Sequence, residues 1–318
     1  MKAMVSVVGV LLVISCFAEE RLESFMKGRR FAVSDYTSGK VCIVEADGSV
    51  SWSYAATNSN DVWIMPDNAL LFVAGKAVRE VSIPDKKIKF EYTSTSTIYG
   101  TQRLPNGNTF VAECTGAQLL EVAPDGKVVK TVKLNPGPME KGKGMLGGTL
   151  GSHSYMRNAR VLTNGHYLVS HYLGRRVAEY DAEGKEVWTA KMTTGVHSAV
   201  RLPNGNTMVA LTDGGPTGLR EISPSGEIVW SLTADSIRTR YMASPLKFAA
   251  GFQVLPNGNI LLSNWLGHGQ FGRAPHLMEV TRDEKVVWTF DDHVNFKTIA
   301  SVQVFPKDGE KLEIMNVH

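Results

Sequence analysis

A short turn sequence recurs along this chain and limits the folds that it can adopt. Leu-Pro-Asn-Gly-Asn occurs at residues 104–108, 202–206 and 255–259, and weaker copies occur at 65–68, 162–166 and 305–309. Asn-Gly between alternating apolar runs is a strong hairpin signal, because a tight turn needs residues that tolerate positive φ. The sequence therefore predicts six related hairpins.

Most copies of this turn are followed by a second hairpin whose last strand carries a tryptophan. Trp52, Trp188, Trp230 and Trp288 occupy that position. Two hairpins make four strands, which we call a to d, and a four-stranded unit that recurs about every forty residues or more is typical of a β-propeller blade. We expect the tryptophans to pack between neighbouring blades, and Trp63 to lie in the core.

The two ends of the chain complement each other. Residues 31–52 align without a gap with residues 167–188, so the N-terminus supplies strands b, c and d of one blade, and residues 299–305 match strand a. A blade shared by both ends closes the ring and removes its sheet edges. Length alone would suggest about two domains. The repeat instead predicts one all-β domain over residues 29–318, a six-bladed propeller of four-stranded blades.

The N-terminus has the pattern of an export signal. Residues 4–17 are almost all apolar and follow Lys2, and the run is shorter than the roughly twenty residues that span a bilayer. We predict a signal peptide over residues 1–18. Two processing sites stay open: cleavage before Glu19, or lipidation of Cys16 in a lipoprotein-like box at residues 13–16. Either predicts a bacterial extracytoplasmic protein, periplasmic or secreted, that contacts a membrane only through lipidated Cys16.

The amino-acid composition limits the classes of partner that we expect. Lys plus Arg number 34 against 31 for Asp plus Glu, without like-charge blocks, so we expect no nucleic-acid partner. We expect a monomer. Cys42 and Cys114 lie in strand-like segments and are interpreted as small buried residues, although a disulfide between them stays open.

Propeller topology sorts the loops into two faces. The terse a-to-b and c-to-d turns share one face, and the long b-to-c and d-to-a connections share the other, which we call the long-loop face. Six of the eight histidines map to it: His153, His171, His197, His268, His276 and His293. Arginines join them, and guanidinium groups bind carboxylate, sulfate or phosphate well. We expect a polar ligand, anionic or saccharide, at this mouth of the channel.

Two positions in each blade supply the candidate residues. Near the start of strand a stand Asn60, Tyr99, Arg157, His197, Ala250 and Ala300, and at the end of strand b stand Asp35, Ala74, Glu113, His171, Leu211 and Asn264. The predicted ligand-binding residues are Asp35, Tyr99, Glu113, His153, Arg157, Arg175, Asn264, Trp265, His268 and Arg273. Trp265 would stack on a sugar or aromatic ring beneath the glycine-rich loop 267–273. The alternative is that Asp35, Glu113 and Asn264 cap loops, and that 267–273 is an ordinary surface loop.

No local cofactor motif is present. The sequence lacks His-Glu-x-x-His, a paired-Cys metal motif and Gly-x-Ser-x-Gly, and the glycine-rich segment 144–153 lacks Gly-Lys-Ser/Thr. We therefore expect no cofactor and assign no metal ligand. A metal held by histidines from several blades stays open.

Residues 180–188, 44–52 and 222–230 resemble the repeat of quinoprotein-like (PQQ-like) propellers, in which Trp docks one blade on the next. His197, Asn204-Gly205-Asn206 and residues 226–230 also resemble six-bladed bacterial arylsulfotransferases. That second resemblance implies His197 or His171 as the residue that accepts a sulfuryl group, with Arg157 or Arg175 as the anion clamp.

The sequence thus leaves three functions open at one mouth. The first is an exported ligand-binding propeller. The second is an enzyme that uses His171 or His197 as nucleophile or general base, in sulfuryl transfer or in sugar elimination or hydrolysis. The third is a scaffold for another protein.

Overall fold

The computed structural model describes residues 24–135, 145–146, 149–150, 155–212, 216–237 and 245–312. These residues form strands, turns and loops, and no helix among them is long and apolar enough to cross a membrane. The predicted signal peptide and Cys16 lie outside the described residues.

The described part of the chain contains six antiparallel sheets of four strands each, one for each blade. Blade 1 contains β26 (Ile299–Val304), β1 (Phe31–Asp35), β2 (Lys40–Val44) and β3 (Val50–Ala55), and blade 2 contains β4 (Val62–Met65), β5 (Ala69–Ala74), β6 (Ala77–Ser82) and β7 (Ile88–Thr93). Blade 3 contains β8 (Ile98–Arg103), β9 (Thr109–Glu113), β10 (Gln118–Val122) and β11 (Val128–Lys133).

Blade 4 contains β14 (Asn158–Val161), β15 (Tyr167–His171), β16 (Arg176–Tyr180) and β17 (Glu186–Lys191), and blade 5 contains β18 (Val196–Arg201), β19 (Thr207–Leu211), β20 (Gly218–Ile222) and β21 (Ile228–Thr233). Blade 6 contains β22 (Ala249–Val254), β23 (Ile260–Asn264), β24 (Leu277–Val280) and β25 (Val286–Phe290). A two-stranded hairpin, β12 (Met145–Leu146) and β13 (Thr149–Leu150), lies in the connection between blades 3 and 4.

The predicted closure is confirmed. Strand β26 pairs antiparallel with β1, in a register that runs from Phe31 opposite Val304 to Asp35 opposite Ile299. Both ends of the chain therefore build blade 1. The six-bladed fold predicted from the repeats is also confirmed.

Three of the strand d tryptophans fasten their blade to the next one, as predicted for this position. The indole Nε1 of Trp52 donates to the carbonyl of Ile83 in blade 2 at 3.0 Å. The Nε1 of Trp188 donates to Pro224 O in blade 5, and that of Trp230 donates to Arg282 O in blade 6, both at 2.9 Å. Each of these bonds ties an outer strand to the neighbouring blade. Trp63 lies in the core, as predicted.

The repeated Asn-Gly-Asn turn is held by a glutamate on strand c. In blade 5, Asn204 and Asn206 donate to one oxygen of Glu221. Arg282 of blade 6 donates to the other oxygen. The turn motif therefore also helps to connect neighbouring blades.

Residues 24–26 occupy the corresponding place on blade 6. The Glu279 carboxylate accepts from the Ser24 hydroxyl and from the backbone N–H groups of Phe25 and Met26, the last two at 3.0 Å. The Met26 side chain is buried with residues of blades 1 and 6. These residues, 24–26, are called the N-terminal segment, and they pack at the junction between blade 6 and blade 1.

Cys42 and Cys114 are buried free thiols. Burial raises the pKa of each thiol to about 11. Their predicted role as small core residues is confirmed.

Candidate functional site

Irregular pairing at the start of the inner strands sets the geometry of the mouth. In β18, Val196 pairs with Leu211 and Ser198 pairs with Ala210, so His197 is an extra residue in the ladder. Tyr99 is the extra residue in β8 in the same way. Such β-bulges bend a strand and redirect the side chain at the bulge. The bulges thus redirect the side chains of His197 and Tyr99, which occupy the predicted position near the start of strand a.

The mouth ring consists of the six residues at that position: Asn60, Tyr99, Arg157, His197, Ala250 and Ala300. All six are buried. The polar members come from blades 2 to 5, which are consecutive, and the two alanines come from blades 6 and 1. One side of the ring is therefore polar and the other is small and apolar.

Arg157 has an unusual environment for a buried arginine. It is 9% exposed, and its guanidinium lies over the ring of Tyr99, with 4.3 Å between the guanidinium carbon and the ring centre. Its Nη1 is buried and has no hydrogen-bond partner among the described residues. No described carboxylate pairs with it. A buried charge without such compensation costs free energy.

Arg160, three residues after Arg157 and within β14, is paired with a carboxylate. Its Nη1 and Nη2 donate to the two oxygens of Asp61, at 2.9 and 2.8 Å. Asp61 also accepts from the backbone N–H of Thr101 at 2.9 Å. Burial raises the pKa of Asp61 and lowers that of Arg160, while the pairing opposes both shifts. The pair joins blades 2, 3 and 4 next to the mouth ring.

Asp35 and Asn264 occupy the predicted position at the end of strand b. Their side chains form hydrogen bonds with nearby backbone groups. Asp35 accepts from the N–H groups of Ser38, Lys297 and Thr298 at 2.8 to 3.0 Å. The Asn264 carbonyl oxygen accepts from Lys247 and Phe248, and its amide donates to Pro245 and Pro275. Both residues thus brace the loop that leads into strand a. This geometry favours the loop-capping alternative for them.

His171 has the same bracing geometry. Its Nδ1 lies 2.8 Å from the carbonyl oxygen of Tyr155 and must donate to it, so Nε2 accepts from the Tyr180 hydroxyl, also at 2.8 Å. Burial and the nearby Arg176 charge lower the pKa of His171 to about 3. The ring has no exposed surface. A neutral ring with both nitrogens engaged suits a structural role better than a nucleophilic one.

Glu113, which ends β9, is also buried. Its carboxylate accepts from the side-chain amide of Gln118 and lies 3.5 Å from the Tyr92 hydroxyl. Burial and this carboxylate raise the pKa of Tyr92. Glu113 therefore contacts side chains of its own and the preceding blade.

The remaining predicted residues differ in their positions. Arg175 is half-buried on the b-to-c loop of blade 4, with Nη1 at 3.5 Å from the carbonyl of Thr193, and Arg273 is exposed. His153 lies outside the described residues.

Three aromatic side chains of blade 6 form what we call the aromatic cradle: Phe248, Trp265 and His268. The ring centres of Phe248 and Trp265 are 5.0 Å apart, and those of Trp265 and His268 are 4.9 Å apart. His197 of the mouth ring meets Phe248 edge-on at 5.7 Å. The structure thus brings His197, Trp265 and His268 together, and it adds Phe248, which no sequence motif indicated.

His276 and His293 form a separate pair beside the blade 6 and blade 1 junction. Their ring centres are 4.5 Å apart. Burial and the charge of His293 lower the pKa of His276 to about 4. Within the described residues, no three His, Cys, Asp or Glu side chains form a group that could hold a metal ion.

Comparisons with known proteins agree with this architecture. Residues 123–261 match a PQQ-like repeat model described as outer membrane protein assembly factor BamB. The PQQ-like repeat predicted from the sequence is therefore confirmed over these residues. The resemblance to arylsulfotransferases remains a prediction. No curated protein matches the chain.

Several solved structures share the fold. A protein of unknown function from Bacteroides caccae is 24% identical, with a TM-score of 0.74 over 88% of this chain and 100% of that chain. A virginiamycin B lyase from Staphylococcus aureus is 16% identical, with a TM-score of 0.53 over 88% and 82% of the two chains. A catalytically inactive histidine-to-alanine variant of a virginiamycin B lyase from the same organism, with quinupristin, is 15% identical, with a TM-score of 0.52 over 83% and 84%. At these identities the likeness is one of fold.

Proposed function

We propose that the polar side of the mouth ring binds an anionic ligand, and that Arg157 is the charged contact. The observation that carries this proposal is the contrast between Arg157, immediately before β14, and Arg160 within β14. Arg160 has the Asp61 carboxylate, whereas the buried Nη1 of Arg157 has no partner among the described residues. A carboxylate, phosphate or sulfate would supply the missing charge and hydrogen bonds.

Asn60, another residue of the mouth ring, also suits a polar ligand. The Asn60 side-chain oxygen is buried without a hydrogen-bond partner among the described residues, while its amide nitrogen donates to Asn58 O at 3.0 Å. A ligand hydroxyl would satisfy that oxygen. An anionic sugar or a hydroxylated acid therefore fits the combination of Asn60 and Arg157.

We also propose that the protein works outside the cytoplasm. The apolar run at residues 4–17 supports export. The matching family model is named for an outer-membrane assembly factor, which agrees with that location. Lipidation of Cys16 would add a membrane tether.

A second candidate function is an elimination reaction at the same mouth. His197 stands in the blade next to that of Arg157, and two of the compared structures are lyases, one of them inactive after loss of a histidine. In this reaction His197 would take a proton from a carbon beside the anionic group. A double bond would then form as the leaving group departs from the next carbon.

Anion binding can be tested with acetate, phosphate and sulfate by calorimetry and thermal shift. We expect millimolar binding to the wild-type protein and about a ten- to hundredfold loss in Arg157→Gln, the range for a hydrogen bond to a charged group. Arg79→Gln is the matched control, because Arg79 pairs with Glu91 on an outer strand of blade 2.

Equal binding by Arg157→Gln and the wild type would contradict the proposal. Absence of binding to all three anions would contradict it too and would favour a protein-binding scaffold. For the lyase candidate, an elimination activity that survives in His197→Ala would remove His197 from the reaction.

A further inference from the structure

We propose that the ligand carries a ring next to its anionic group, and that the aromatic cradle holds this ring. The inference rests on the proposed function, since Arg157 is taken as the anion contact. It names the class of ligand as ring-bearing carboxylates, which include aryl and sugar acids.

The cradle is continuous with the mouth ring. His197 stands beside Arg157 in the order of the blades, and its imidazole packs edge-on against Phe248, which in turn packs against Trp265. A ligand anchored at Arg157 therefore meets the imidazole first and the cradle next. The remaining two ring positions, Ala250 and Ala300, are small and leave this side of the mouth apolar.

The backbone beneath the cradle is firmly held. The N–H of Trp265 donates to the carbonyl of Phe248 at 3.0 Å, so the two aromatic residues are joined through their main chains. Asn264 accepts from the N–H of Phe248 and donates to Pro275 at the far end of the loop. Ring recognition by fixed aromatic side chains loses little conformational entropy on binding.

Gly267 fixes the orientation of the indole. A methyl group at residue 267 would overlap the six-membered ring of Trp265. The indole therefore lies against the bare backbone of Gly267, and any side chain there must displace it. Gly267 is in this sense a positioning residue for Trp265.

The Trp265 Nε1 is a hydrogen-bond donor within the aromatic cradle. This atom is buried and has no hydrogen-bond partner among the described residues, although buried indole N–H groups usually find one. An oxygen on the ligand ring would accept from it. Aryl rings gain from edge-to-face and offset contacts with such side chains.

The test compares acetate with benzoate, 4-hydroxybenzoate and glucuronate by calorimetry on the wild-type protein. We expect the ring-bearing acids to bind about tenfold or more tightly than acetate, in line with aromatic contacts and partial burial of the ring. The benzoate and glucuronate arms distinguish aryl from sugar acids. In Gly267→Ala and Trp265→Ala this advantage should disappear, while acetate binding stays as in the wild type.

Trp265→Phe isolates the hydrogen bond, because it keeps an aromatic ring and removes the Nε1 donor. We expect it to weaken 4-hydroxybenzoate or glucuronate by about three- to tenfold and to leave benzoate nearly unchanged. The substituted acids alone carry a ring oxygen to accept from Nε1.

The outcomes separate the two proposals. Equal affinity for acetate and all ring acids, with binding still dependent on Arg157, would overturn the ring inference and leave the anion site intact. Equal affinity of the wild type and Arg157→Gln for the anions would overturn the proposed function itself. Unchanged ring preference in both Trp265→Ala and Gly267→Ala would overturn the role of the cradle.

Discussion

Arg160 in blade 4 and Asp61 at the start of blade 2 form a bidentate ion pair between blades that are not neighbours in the ring. The two N–O distances are 2.8 and 2.9 Å, and both side chains are almost completely buried. Because blade 3 lies between them, the pair passes beside the inner strand of blade 3, where Asp61 also accepts from the N–H of Thr101. Arg157, immediately before the same strand, has no such carboxylate among the described residues, and this difference separates a structural arginine from a candidate binding one.

Replacement of these two arginines by glutamine should affect the free energy of unfolding differently. Arg160→Gln should lower the free energy of unfolding by about 3–5 kcal/mol, because it leaves the buried Asp61 carboxylate without its cation. Arg157→Gln should leave the ligand-free stability unchanged or raise it, since an uncompensated buried charge is removed. Urea unfolding measures both, and a large loss in Arg157→Gln would show that Arg157 is structural.

Stability should fall as the pH drops from 7.5 to 5. The pKa of His171 is lowered to about 3 and that of His276 to about 4, mainly by burial. In the unfolded chain these histidines become protonated near pH 6.5, whereas in the folded chain they stay neutral at pH 5. Each histidine therefore lowers the free energy of unfolding by on the order of 2 kcal/mol at pH 5. His171→Gln should remove about half of this pH dependence in urea unfolding. An unchanged pH dependence would contradict the buried neutral state of His171.

The N-terminal segment should depend on the charge of Glu279. That carboxylate accepts from Ser24, Phe25 and Met26, and its pKa is lowered by these bonds and by Asn259 despite the opposing effect of burial. Glu279→Gln keeps the shape and removes the charge, so we expect a loss of about 2 kcal/mol in the free energy of unfolding.

Limited proteolysis gives a local readout of the same change. Cleavage before Phe31 should become faster in Glu279→Gln, because the segment is then held less firmly. Glu91→Gln, an exposed partner of Arg79, is the control. Equal cleavage rates in the two variants would show that Glu279 does not fasten the segment.

Gly218 should tolerate no side chain. Its φ is 142°, and a methyl group there would overlap the carbonyl oxygen of Leu232 in the adjacent strand. Gly218→Ala should therefore destabilise the protein by several kcal/mol and lower its melting temperature by about 5 °C or more. Gly226→Ala is the matched control, because Gly226 also has a positive φ of 90° but open space around it. Similar melting temperatures in the two variants would contradict the steric argument.

Local repetition made much of the fold predictable. Trp188 and Trp230 recur at one position of successive units, and both indoles bond to the next blade as that recurrence implied. The mouth ring was also predictable as a position, because Tyr99 and His197 keep the same distance from their turns. The bulges that redirect these two residues add a detail that the spacing alone does not contain.

Other features of the mouth depend on contacts that leave no local pattern. Asp61 and Arg160 are 99 residues apart, and nothing in the repeat pairs blades 2 and 4. Phe248 is an ordinary apolar residue in a long connection, and only its contacts with His197 and Trp265 give it importance. Asp35 and His171 look like channel residues by position, yet their hydrogen bonds brace loops.

The sequence by itself determined the number of blades, the strands within them, the closure by both termini and the face that carries the long loops. These follow from turn chemistry and alternating apolar residues, which act within a few neighbours along the chain. Only the tertiary structure decided which buried polar side chains have hydrogen-bond partners among the described residues and which have none. That distinction depends on the atoms that reach each group from other blades, as Asp61 reaches Arg160 and no described carboxylate reaches Arg157.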